Sequence, residues 1–184
     1  VHTDTSIQYF VCDTPEMATA ALDAECRAGA AMYVLHEYPT ALKGRLVGVG
    51  LSPRPGFALY FPFDGPGRHL GFEGLELLRA WLEDPSIPKI MHETKAGWVA
   101  LRRCGVTVTG VVGDTALASF LVDPTLHIPH RIEQLAREYL HRGLQPVRSL
   151  VGGGRSLKRF RELTVDKAGA WACHNADAIG SVWP

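Results

Sequence analysis

Cysteine is scarce and dispersed in this chain. Cys12, Cys26, Cys104 and Cys173 form neither a Cys-x-x-Cys pair nor a disulfide-dense pattern, which excludes a small disulfide scaffold and suits a reducing cytosol. Long apolar runs are also missing: none approaches the roughly 20 residues needed to cross a bilayer. The opening "VHTDTSIQYF" has no basic segment ahead of an apolar core, so neither a membrane nor an export signal is expected, and a cytoplasmic location is. There is no excess of charge of either sign, since 19 Lys and Arg balance 19 Asp and Glu. No whole-molecule field therefore draws the chain to nucleic acid, and such a contact needs a local patch. What is present is ordinary globular usage, 46% hydrophobic and 21% charged over 184 residues. That length suits one domain over residues 1–184, expected as a monomer, with a substantial core.

Turn and cap residues divide the chain. After "IQYFVC", the stretch "DTPEMATAALDAECRAGA" has Asp13 or Thr14 as N-cap and Pro15 in the first turn, which predicts a helix. Three β-rich runs follow, "AAMYVL", "RLVGVGLS" and "GFALYFPF", separated by turn residues such as "SPRPG"; this is the pattern of an antiparallel meander. "GLELLRAWLEDPS" predicts a helix stopped before Pro85, "IPKIMHE" a short buried strand, and "TKAGWVALRRCG" a helix closed by Gly105. "VTVTGVVG" reads as extended, Asp114 and Thr115 as the start of the helix "TALASFLVDP", and "RIEQLAREYLHRG" as a helix with Ile132, Leu135, Ala136, Tyr139 and Leu140 on one stripe. A last helix starts at Thr164 or Asp166. A meander followed by helices mixed with strands argues for an α/β layer fold with a mixed sheet.

One segment differs in composition. "PVRSLVGGGRSLKRFREL" carries Arg148, Arg155, Lys158, Arg159 and Arg161 around three glycines at 152–154, with no acid before Glu162. Backbone N–H groups of such a loop can face phosphates and its cations can pair with them. A solvated connection is the favoured reading on a neutral protein; a nucleic-acid contact through Arg155, Lys158 and Arg159 is the alternative.

The order of a glycine-ended helix, "GVTVTG", "GDTALASFLVDP" and "LAREYL" resembles the 3′-5′ exonuclease (proofreading) domain of bacterial family A DNA polymerases. "LVGVGLSPRPGFALYFP" resembles that family's second and third strands and "WACHNADAIGSVWP" its last helix, so the likeness covers essentially the whole chain. The resemblance implies an RNase H-like fold of the exonuclease superfamily: a mixed sheet with an antiparallel meander, flanked by helices. It also implies a site in which carboxylates hold two divalent ions that activate water and stabilise the leaving oxygen.

The expected acids are missing from the matching positions. The first-strand motif Asp-x-Glu falls on Tyr33 and Leu35; a two-residue slip brings in Glu37 but puts Leu35 at the Asp position. The Asn-x-x-x-Asp motif falls on Glu93 and Gly97, and Tyr-x-x-x-Asp on Trp171 and Asn175. Asp177, about 200° further round the last helix, does not rescue the site and is expected to make a surface or capping contact. Two Mg²⁺ ions without anionic ligands would be poorly compensated against their hydration. The expectation is therefore no catalytic residue, no metal and no cofactor.

Bland readings are favoured for the other candidates. His36, His92 and His174 lie near the three motifs, and a repurposed transition-metal site with Glu37 or Glu93 is the minor reading beside structural roles. Asp114 reads as an N-cap and Cys173 as a core thiol, since adjacent helix residues point about 100° apart and cannot activate one another. The resemblance, with its lost acids, implies a vestigial exonuclease-like domain scaffolding a longer polymerase in DNA replication and repair. Its partners would be the polymerase domain of the same chain and DNA, bound weakly or through the parent protein in the bacterial nucleoid. The alternatives are an active exonuclease using Mg²⁺ or Mn²⁺ through displaced Glu37 and Glu93, and a free-standing binding module.

Overall fold

Backbone and side-chain positions come from a computed structural model that describes residues 7–37, 42–125, 129–153 and 158–183. Its centre is a six-stranded sheet ordered β1-β4-β3-β2-β5-β6. The strands are β1 (Gln8–Val11), β2 (Ala30–His36), β3 (Leu46–Arg54), β4 (Phe57–Pro62), β5 (Lys89–Met91) and β6 (Val111–Asp114). Strands β2, β3 and β4 form the expected antiparallel meander. The pairs β1 with β4, β2 with β5 and β5 with β6 are parallel, so the sheet is mixed.

The helices are α1 (Pro15–Glu25), α2 (Gly74–Glu83), α3 (Thr94–Arg103), α4 (Thr115–Val122), α5 (Ile132–Tyr139), α6 (Val147–Val151) and α7 (Val165–Val182). Local chemistry accounts for the starts of α1 and α7. The Thr14 side chain accepts from the Met17 amide at α1, and Thr164 accepts from Lys167 at α7, so of each expected pair of cap residues the threonine serves. The "VTVTG" stretch departs from expectation, because ladder pairing begins only at Val111. Before it, the Thr107 amide donates to Glu83 and the Thr109 amide to the Leu82 carbonyl, so these groups are satisfied from α2 instead of a strand.

Strand alternation distributes two cores. Met32, Val34, Val49, Leu51, Leu59 and Phe61 face α1, α2 and α3, whereas Leu35, Val47, Ala58 and Tyr60 face α7. Helix α7 buries eleven of its eighteen residues. It can lie so near the sheet because β3 has no side chain at Gly50, where a Cβ would come within 2.8 Å of the Ala172 carbonyl oxygen. Backbone cannot yield as a side chain would.

The basic segment is not simply a solvated connection. It contains α6 and a 3₁₀ turn, Phe160–Glu162, and it buries Val151 and Phe160 in the core under α7. Asp177 is likewise not a surface residue. It is fully buried in α7, where it accepts from the Gly56 amide at 2.6 Å and pairs with Arg142 at 2.7 Å. Removing one partner of such a pair strands the other charge.

Gly50→Val is expected to push α7 off β3 and destabilise the domain by about 1–3 kcal/mol, as overpacking does. Urea unfolding read by tryptophan fluorescence measures this, with Met17→Ala on exposed α1 surface expected to stay within about 0.5 kcal/mol of the parent chain.

Candidate functional site

The residues expected at the acidic positions occupy two places. Tyr33 and Leu35 project from the same side of β2, opposite Gly50 and Gly48 of β3. The space over the two glycines is itself occupied, by the Tyr60 ring above Gly48 and by the Ala172 backbone of α7 above Gly50. The Tyr33 ring meets the Trp171 ring edge-on, with centroids 5.2 Å apart at 89°, and the Phe160 ring lies 5.5 Å from Trp171, tilted by 31°. Leu35, Phe160 and Trp171 belong to one buried cluster, with half-buried Tyr33 packed against it. The indole N–H of Trp171 donates to the Gln145 carbonyl at 2.8 Å, which fixes the ring in that cluster. Burial, then the nearby Glu133 and Glu93 charges, push the Tyr33 phenol well above its ordinary range, so it stays neutral.

Asn175 is buried in α7 and donates through Nδ2 to the Trp171 carbonyl at 2.7 Å; its Oδ1 has no hydrogen-bond partner among the described residues. Gly97 does not join this group. A Cβ there would meet Met91 Cε at 2.7 Å and Val34 Cγ2 at 3.0 Å, both in the cluster covered by α1, α2 and α3. Glu93 is exposed and does not lie within a helical turn, since it caps α3 in the left-handed conformation at φ 51°. A glutamate holds that backbone only at a cost.

Glu37 is tied elsewhere. It is buried beside Arg161, with its Oε1 3.2 Å from Nε. Among the candidate cations, Lys158 and Arg159 are exposed, and Arg155 lies outside the described residues. Cys173 is fully buried, and burial, then Cys12 and Asp177, push its thiol far up; it is no nucleophile. His174 lies against Tyr9, with ring centroids 6.4 Å apart, and His36 Nδ1 is 3.2 Å from the Glu37 carbonyl. His92 Nδ1 is 2.8 Å from the Thr115 hydroxyl. Among the described residues no group of three or more His, Cys, Asp or Glu is placed to hold a metal. A phenol, an alkyl chain, a bare glycine and a carboxamide likewise do not suit a pair of hard divalent ions, which need several anionic oxygens.

Asp114 does more than the single cap read from sequence. It accepts from the Ala116 and Leu117 amides at the start of α4 and from the Glu93 and Thr94 amides at the start of α3. Burial alone would raise its pKa, but hydrogen bonds from Thr94, Ala116 and Leu117 hold the carboxyl below its ordinary value. The second helix start was not legible, because residues 93 and 114 meet only through the parallel pairing of β5 and β6.

The fold belongs to the RNase H-like exonuclease class. The catalytic core of RRP6 from Trypanosoma brucei superimposes with a TM-score of 0.71 over 99% of this chain and 46% of that one, at 14% identity. The model of the family described as DNA polymerase I, ribonuclease H-like domain, matches residues 72–179, and the chain belongs to that family. DNA polymerase I of Mycobacterium tuberculosis is 40% identical over 87 residues, which are 45% of this chain and 10% of that protein. The chain thus matches about a tenth of the length of such relatives. A structure of Pol1 from M. smegmatis, in complex with DNA primer-template and dNTP, aligns over 95% of this chain and 27% of that one, at 25% identity and a TM-score of 0.64.

His92 gives the domain a pH signature. Burial lowers its pKa from 6.5 to about 4, against an opposing effect of Asp114. Between about 4 and 6.5 the unfolded chain therefore binds more protons, and stability falls as pH drops through that window. Below it, protonation of Asp114 removes the stability gained from its depressed pKa. His92→Gln is expected to flatten the first phase and Asp114→Ala to cost about 2 kcal/mol, two caps at roughly 1 each; urea unfolding from pH 3.5 to 7.5 measures both.

Proposed function

We propose that residues 1–184 form a vestigial 3′-5′ exonuclease-like domain of a DNA polymerase I, retained for its fold and without proofreading chemistry. The observation that carries this reading is the packing of Tyr33 and Leu35 against Trp171 and Phe160. Side chains that would have to be acids for metal catalysis instead contribute to a core. The loss extends beyond one residue, since Asn175 is uncharged and a side chain at Gly97 would crowd Met91 and Val34. In this reading the domain binds no metal pair and serves as scaffold to a polymerase domain of the same chain, in replication and repair within the bacterial cytoplasm.

The alternative needs Glu37 and Glu93 as displaced ligands. Glu37 would first have to leave Arg161, and Glu93 stands outside the cluster on a separate helix cap. Incubation with 3′-labelled single-stranded DNA and Mg²⁺ or Mn²⁺ is expected to leave the strand at full length, as in a chelator control. Metal-dependent shortening that disappears in a Glu37→Ala, Glu93→Ala variant would establish the alternative instead.

A weak DNA contact through the basic segment accompanies this reading. It rests on exposed Lys158 and Arg159, with Arg155 beside them in sequence. If both exposed cations touch phosphates of a single strand, Lys158→Glu with Arg159→Glu should lower the magnitude of the slope of log K against log salt by about 1.4. Fluorescence anisotropy of labelled single-stranded DNA between 50 and 200 mM salt measures that slope, and an unchanged slope would remove the contact from the account.

A further inference from the structure

Helix α4 is oriented with its polar side inward. Its buried residues are Thr115 and Ser119, whose hydroxyls meet His92 Nδ1 at 2.8 Å and His130 Nδ1 at 2.9 Å. Its outward side chains are large and apolar: Leu117 is 63% exposed, Phe120 51%, Leu121 80% and Val122 76%, and Val112 on the adjoining strand β6 is 59% exposed. No charged residue occurs from 115 to 122. An ordinary surface helix places such residues the other way round. The rotation is fixed, because Asp114 caps the helix from β6 while both inner hydroxyls are engaged. The helix cannot turn its apolar side inward without burying that side against histidines and exposing satisfied hydroxyls.

We infer that this face of α4 and β6 docks onto the remainder of a DNA polymerase I polypeptide. The inference rests on the family reading above and adds the surface through which the domain is held. Two observations favour a covalently linked occupant. First, the five side chains expose on the order of 600 Å², the upper end for a monomer's largest apolar patch and ample for a tethered partner, whose effective concentration is on the order of millimolar. Second, in DNA polymerase I of M. tuberculosis the matching segment is 10% of the protein, so there the corresponding face has much further polypeptide of its own chain to meet. An uncharged patch selects an apolar counterpart on that polypeptide and not a phosphate backbone.

Photo-crosslinking in the full gene product carrying residues 1–184 tests this. Leu121→p-benzoylphenylalanine is expected to give intramolecular cross-links to peptides outside residues 1–184, with at least tenfold lower yield from Met17→p-benzoylphenylalanine on α1. Cross-links confined to peptides within 1–184, a covalent dimer, or equal yields at the two positions would each overturn the inference. The intact mass of the gene product tests the polymerase reading separately: a product with no further polypeptide ends both, whereas a full-length polymerase without the cross-link ends only the docking surface. Nuclease assays on the same preparation report on the lost chemistry alone.

Discussion

Helix α7 crosses β3 at a distance that leaves no room for a single carbon atom on Gly50, and much of the molecule is arranged by that approach. The same side of the sheet carries Tyr33 opposite Gly50 and Leu35 opposite Gly48, so two side chains of β2 rise beside two glycines of β3. Tyr60 reaches across the space above Gly48 and packs under Gly169 of α7. With helix and sheet in near-backbone contact, the volume beside β2 is closed by whatever α7 presents there, and it presents Trp171. A site that needs water, two cations and a nucleic-acid end has a different requirement: open volume lined by charge.

In the proposed reading, this packing makes the absence of acids more than a set of independent replacements. Trp171 is held by a hydrogen bond to Gln145 and flanked by Tyr33 and Phe160, and Phe160 comes from the turn that also supplies Arg161 to Glu37. The basic segment thus contributes one buried aromatic ring and one half-buried cation, paired with Glu37, to the same neighbourhood. Its composition suggested a solvated loop because charge and glycine dominate it; Val151 and Phe160, two residues in that stretch, determine how it packs.

The architecture was legible where local chemistry decides it. Threonine caps, Pro15, Gly105 and the alternating runs of the meander each act within a few residues, and the structure follows them. The order of the elements extended this to the sheet's mixed character. What could not be read depends on direction and on distant partners. Asp177 looked like a surface acid until the fold brought Gly56 and Arg142 to it. Gly97 matched a motif by counting, but its missing side chain points toward Met91 and Val34 and away from the Tyr33 cluster. The capping of "TALASFLV" could be read from Asp114, whereas its rotation, hydroxyls inward and apolar residues outward, required the positions of His92 and His130.

In the proposed reading, the neighbourhood of Tyr33, Leu35 and Trp171 is protein core and not a metal site. Crystals of the domain soaked in millimolar Mn²⁺ and measured for anomalous scattering test it most directly. The account predicts no anomalous peak within coordination distance of these residues, with Trp171 still against Tyr33. A pair of Mn²⁺ peaks about 4 Å apart, the spacing of two-metal nucleases, with Trp171 displaced, would contradict it.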